Sequence, residues 1–309
     1  MKIIGRNLFI LFLLLFSGCG RGYIQLKKEV SRQDSFVIPE VPFYKQLGNT
    51  CGPSALASIL SYWGIKFDYE KLIKELYVPG LGGSLDFEIA FYPRKFNLWS
   101  KYAQENFSYL KERIREKIPL IVLQKELPIK GGYHYLVVFG FDDAKEKILV
   151  HTGRSSFLWL SYNSFFKKWE KADFGTITIC PPEKVTWELE PEDYFYLGYL
   201  LERKEEWEKA EEIYQRLVEV LPQEKTIYFN LGNVYFQKGE YLKAEEAYKK
   251  AIALDKNFGD AYNNLAYLYL KTKKNLKEAE ELIKKAIDIE PKKDYLDTLN
   301  QIRKEVGND

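Results

Sequence analysis

Residues 49–64 read NTCGPSALASILSYWG, and this stretch decides how the first half of the chain folds. Ala55, Leu56, Ile59, Leu60 and Trp63 recur at helical spacing, which predicts an amphipathic helix that stops at Gly64. Pro53 is tolerated in its first turn, where the N–H that proline lacks has no intrahelical partner anyway. Asn49 or Thr50 stands where a capping residue belongs. Cys51 therefore opens a helix, and unpaired backbone N–H groups and the macrodipole there favour an anion. A buried thiol is usually a small core hydrophobe; a thiol at a helix start is a candidate nucleophile.

Working outward, DYEKLIKELY at 68–77 and NFSYLKERIREK at 106–117 read as two further helices. Strand-like runs follow: PLIVLQ, HYLVVFGF, KILVHT, SFLWLS and GTITIC. Helices first and antiparallel strands afterwards is an α+β order, expected over 38–183.

The second half changes character at about Glu190. Leu197-Gly198, Leu231-Gly232 and Leu265-Ala266 recur every 34 residues, each preceded by an aromatic at Tyr194, Tyr228 and Tyr262. Ala210, Ala244 and Ala279 mark where the second helix of each pair must approach the first closely, and Tyr214, Tyr248 and Ile283 follow four residues later. This is the tetratricopeptide period, so 190–309 is expected to be an all-α solenoid of three repeats, at about 191–224, 225–258 and 259–292, closed by a capping helix. One helix pair cannot cover its own apolar face, so neighbours stack and leave a surface suited to a protein partner. Tyr199, Tyr228, Tyr235, Tyr262 and Tyr269 are divided by this reading between that surface and the core.

At 309 residues, 46% hydrophobic and 29% charged, the composition is that of a globular protein of two domains. A net charge of +2 without a basic stripe excludes an electrostatic footprint for nucleic acid. Two histidines give no zinc spacing, and PGLGGS at 79–84 lacks the Lys-Ser/Thr of a phosphate loop, so neither metal nor cofactor is expected. At the N-terminus Lys2 and Arg6 precede LFILFLLLF, too short to span a bilayer but suited to a secretion signal over 1–18. FSGC at 16–19 resembles the bacterial lipobox. The resemblance implies lipidation of Cys19, a membrane anchor and domains outside the cytoplasm, with Gly20 pointing to the outer rather than the inner membrane; the polar stretch that follows reads as a tether over 19–37. Cys51 and Cys180 then remain, and the sequence leaves open whether they pair.

A thiolate needs a base, and the chain holds only His134 and His151. His134 opens HYLVVFGF after the glycine pair of KGGY, a place for an imidazole at the lip of a cleft. Gln46 lies just upstream of Cys51, where its amide and the Cys51 N–H can form an oxyanion hole.

VPFYKQLGNTCGPSALASILSYWGI at 41–65, followed by GGYHYLVVFGFD at 131–142, resembles the papain-like cysteine peptidases of the bacteriocin-leader-processing type, family C-thirty-nine. The resemblance spans roughly 41–182. It implies Cys51 as nucleophile, His134 as base and Gln46 in the oxyanion hole. That family carries an acid about sixteen residues beyond the histidine, whereas this chain has VHTGR. His151, Thr152 or a backbone carbonyl is left to orient His134, since Asp142 and Asp143 lie too far along the strand. Signal, peptidase-like domain and repeats in this order resemble a bacterial subgroup of secreted cysteine peptidases. The expected function is a lipid-anchored cysteine peptidase whose repeats bind a protein partner or substrate. The alternatives are a non-catalytic peptide-binding scaffold and a transglutaminase-like amide transfer.

Overall fold

The computed structural model describes residues 34–125 and 132–307. The signal, Cys19 and most of the tether lie outside the described residues. The chain divides into two compact units, one holding residues up to Pro93 and Ser100–Ile179, the other Arg94–Trp99 and everything from Cys180 onward.

In the first unit the elements are β1 (Ser35–Val37), α1 (Cys51–Tyr62), α2 (Tyr69–Leu76), α3 (Asp86–Phe91), β2 (Trp99–Gln104) and α4 (Phe107–Arg115). They continue as β3 (Leu120–Lys125), β4 (Tyr133–Asp142), β5 (Lys147–His151), β6 (Leu158–Ser161), α5 (Tyr162–Glu170) and β7 (Gly175–Cys180). The sheet runs β2-β7-β3-β4-β5-β6, with β1 on β4. β4 is its spine. β3 pairs antiparallel with 133–138 and β5 with 137–142. β1 pairs with 140–142, on the edge of β4 that β3 has left. The tether expected to run to Val37 therefore ends earlier: Phe36 faces Phe141, and the backbone of 35–37 satisfies that vacated edge.

α1 packs on β4. Gly52 through Leu60 are all buried, so this helix is enclosed on every side rather than amphipathic. Small side chains make that enclosure workable. A Cβ on Gly52 would sit 3.1–3.3 Å from Ile89, Ser84 and the Tyr135 ring. The two buried serines bond back to carbonyls one turn earlier, Ser54 Oγ to Thr50 O at 2.8 Å and Ser58 Oγ to Ser54 O at 3.1 Å. The end of α1 follows its sequence: Gly64 takes φ +72°, Gly64 N–H reaches Ser61 O, and Ile65 N–H reaches Leu60 O, the Schellman arrangement. The cap at the other end differs from expectation. Thr50 is the N-cap but makes no side-chain cap bond, because its hydroxyl accepts the Leu47 N–H at 2.9 Å instead.

The second unit is helical: α6 (Pro191–Arg203), α7 (Trp207–Val220), α8 (Lys225–Gln237), α9 (Tyr241–Leu254), α10 (Gly259–Thr272), α11 (Leu276–Ile289) and α12 (Lys293–Val306). Ala210, Ala244 and Ala279 are fully buried. Gly198 is pressed by the Tyr214 ring, which a Cβ would meet at 2.7 Å, and Gly232 is pressed in the same way by Tyr248. The third repeat replaces that glycine–tyrosine pair by Ala266 and Ile283, exchanging ring volume for a methyl group. α12 adds Tyr295, Leu299 and Ile302 to the core of the last repeat, as a cap must. Of the five tyrosines, Tyr262 and Tyr269 are core, Tyr228 and Tyr235 pack partly against it, and Tyr199 is 50% exposed.

Candidate functional site

Cys51 is the first residue of α1 and half-buried. Its sulfur receives the backbone N–H of Tyr135, the residue immediately after His134 on β4. Nucleophile candidate and histidine candidate are thus brought together by packing α1 against the start of β4. Gln46, Cys51 and His134 all line one open cleft of about 530 Å³, walled also by Asn49, Ser84, Tyr133 and Arg154. Cys51 and Cys180 are both free thiols, and Cys180 is buried at the end of β7. The sulfur is therefore not held in a disulfide with Cys180.

His134 Nε2 lies 2.7 Å from the carbonyl oxygen of Thr152. A carbonyl only accepts, so Nε2 carries the proton and the lone pair of the neutral ring is on Nδ1. This corrects the place given to His151. Its Nε2 donates to Val41 O at 3.0 Å, and its Nδ1 accepts the Phe157 N–H at 3.2 Å. The His151 ring is buried among Phe43, Phe139 and Phe157, and burial lowers its pKa from the ordinary value. His151 is a satisfied core residue. Asp143 is likewise committed, accepting Lys111 Nζ at 3.0 Å and the Tyr162 hydroxyl at 2.7 Å in a buried cluster.

The turn at Thr152–Ser155 holds two of the three candidates. Thr152 N–H donates to Ser155 O, and Thr152 Oγ1 accepts the backbone N–H groups of Arg154 and Ser155. This local net fixes the carbonyl that faces His134. The next carbonyl, of Gly153, accepts the Gln46 N–H at 2.8 Å. Gly153 has φ +75°, and a Cβ there would lie 2.7 Å from Gln46 Oε1. Around Gln46 the loop before α1 is held further by the Tyr69 hydroxyl on Lys45 O and by Gln46 Nε2 on Gly48 O at 2.7 Å. Oε1 is buried and has no hydrogen-bond partner among the described residues. The sequence signals Gln46 by its distance from Cys51, whereas the Gly153 contact appears only in three dimensions.

The electrostatics depart from the sequence expectation of an easily ionised thiol. Burial pushes the Cys51 thiol up. The N–H groups of Tyr135, Gly52 and Cys51, and the more distant Arg154, pull it down without overcoming that effect. The resting group is a thiol at neutral pH. Among the described residues no group of three or more His, Cys, Asp or Glu side chains is arranged to hold a metal ion.

Residues 38–175 match the Peptidase_C39 like family, and tetratricopeptide repeat families match 196–228, 226–258 and 247–281. No curated protein matches the chain. Similar solved structures include the first tetratricopeptide domain of Spaghetti (RPAP3) bound to an HSP90 peptide, 18% identical over 38% of this chain and 93% of that one, with a TM-score of 0.36. Another is the Arabidopsis OM64 tetratricopeptide domain, 22% identical over 37% and 95%, TM-score 0.36. The Sgt2 domain from Aspergillus fumigatus is 20% identical over 39% and 81%, TM-score 0.37.

Proposed function

We propose, for a chain whose residues 38–175 belong to the Peptidase_C39 like family and whose second half carries tetratricopeptide repeats, that Cys51 cleaves peptide bonds through a thioester. One observation carries the proposal: the Cys51 sulfur sits against the peptide that joins His134 to Tyr135, in a cleft that Gln46 also lines.

His134 takes the thiol proton on Nδ1 as sulfur attacks the scissile carbonyl, so a resting thiol suits general-base activation. The oxyanion is met by the Cys51 N–H and by the second N–H of the Gln46 amide, the first being engaged with Gly48 O. Collapse breaks the C–N bond, and His134 returns the proton to the leaving amine. Water, deprotonated by His134, then hydrolyses the thioester and restores the thiol. Thr152 O orients the ring without a full negative charge, so the imidazolium is less stabilised than beside a carboxylate.

The repeats are read as the arm that holds a protein partner or the substrate. Supporting this, the first helix of each repeat contributes to one groove of about 440 Å³, through Tyr199, Asn233, Phe236, Asn264 and Tyr267. FSGC at 16–19 supports a lipid anchor on Cys19 and a position outside the cytoplasm, checked by the mass of the mature N-terminal peptide. The test of the peptidase is digestion of a peptide library by wild type and Cys51→Ala. Cleavage confined to wild type supports the proposal, and identical digests refute it.

A further inference from the structure

We infer that Arg154 binds a carboxylate of the substrate within one or two residues of the scissile bond, so that the cleft selects acidic peptides. The inference rests on the reading of Cys51 as the nucleophile. Among the described residues that line the cleft, Arg154 is the only one with a permanent charge; Gln46, Asn49, Ser84, Tyr133 and Tyr135 are polar and neutral. Arg154 is exposed and lines the cleft, where its guanidinium fork can meet a substrate group. The fork matches a carboxylate with two parallel N–H···O bonds, a geometry that selects this group over an amide.

An exposed arginine is ordinarily a solvated surface residue. Placement sets this one apart. It follows Thr152 and Gly153, whose carbonyls hold His134 and Gln46, and its own N–H is tied to Thr152 Oγ1. The charge is therefore anchored to the same hydrogen-bonded turn that holds His134 and Gln46, and its field reaches the Cys51 sulfur. A second cation, Lys125, stands 5.4 Å from the centroid of Tyr133 on the cleft wall and adds to the positive potential. Asp86 and Glu88 act on the Tyr135 phenol, but neither lines the cleft.

A carboxylate can come from a Glu or Asp side chain or from the free C-terminus of a short peptide. The test starts from a quenched peptide that the full chain cleaves, resynthesised with Glu, Gln or Lys at each of the two positions either side of the cut, and as free acid or amide. We expect kcat/KM at least tenfold higher for Glu than for Gln at one position, with the preference lost in Arg154→Gln and turned toward Lys in Arg154→Glu. A preference confined to free acids over amides assigns the carboxylate to the chain end. A Glu/Gln ratio unchanged in Arg154→Gln, and no free-acid preference, overturns the inference while leaving the peptidase standing. Should wild type cleave no peptide, anisotropy of labelled Glu and Gln peptides on Cys51→Ala protein decides the matter. Arg154-dependent preference there sustains the anion site while hydrolysis fails, and equal binding overturns both.

Discussion

Gly153→Ala tests whether the turn after β5 assembles the site. At φ +75° an alanine enters left-handed backbone, which costs about 1–2 kcal/mol. For a unit of this size that lowers Tm by on the order of 5 °C. The same strain falls on Gly64→Ala, at φ +72° with nothing within 4 Å, so that variant serves as the control. The two substitutions part at the added Cβ, which in Gly153→Ala lies 2.7 Å from Gln46 Oε1, closer than such atoms ever stand. Gln46 must swing away, taking its amide from the oxyanion, while its own N–H is tethered to the strained residue. Loss of one oxyanion donor costs roughly 10²–10³ in kcat. The assay is hydrolysis of a quenched peptide at a temperature well below both Tm values. Gly153→Ala should lose about a hundredfold and Gly64→Ala less than a few-fold. Equal rates at matched stability would refute the role given to this turn.

Other expectations follow from single contacts. Thr152→Val should retain activity to within about tenfold, because the carbonyl on His134 is backbone and only the turn's Oγ1 bonds are lost; a loss as large as that of His134→Ala would contradict it. Alkylation of Cys51 by iodoacetamide should rise with pH along a curve displaced above that of a free thiol, since burial raises its pKa; a rate already at its plateau at mildly acidic pH would show a resting thiolate instead. Burial holds the His151 pKa below the ordinary imidazole value of about 6.5, so the unfolded state binds the extra proton first and stability falls as pH drops below about 6.5, by up to about 1.4 kcal/mol per unit. Urea melts across that range should show this slope in wild type and a shallower one in His151→Gln; parallel slopes would assign it elsewhere. In the repeats, Gly232→Ala should cost about 1–3 kcal/mol by pushing Tyr248, and Gly232→Ala with Tyr248→Ile should recover part of it, as the natural Ala266–Ile283 pair does. Additive losses would sink that explanation.

Where the sequence carries a strict spatial period, its reading reaches the structure. The 34-residue recurrence of Leu-Gly and Tyr is enforced because each glycine must admit a ring from its partner helix, as Gly198 and Gly232 do. The Cys51 helix was legible for a similar reason, with its Gly64 stop set by left-handed backbone. Its burial on all sides was not, because serines at 54 and 58 look polar until their hydroxyls are seen bonding back to carbonyls. β1 was hidden because three residues hold no period, and only the vacated edge of β4 recruits them. At the site, residue types announced Cys51, His134 and Gln46. Residue types do not single out what orients His134 among His151, Thr152 and a carbonyl, since a backbone oxygen has no signature in side-chain identity. His151 drew notice by chemistry and stands in the core by geometry, with both nitrogens engaged.

The central claim is that Cys51 becomes acylated during peptide cleavage. Acid-quenched reactions of the full chain with a peptide it cleaves, analysed by peptide mass spectrometry, read this directly. The account predicts a hydroxylamine-sensitive acyl adduct on the peptide bearing Cys51, absent when Cys51→Ala is mixed with the same substrate. Product formed without any such adduct, or formed equally by Cys51→Ala, would contradict it.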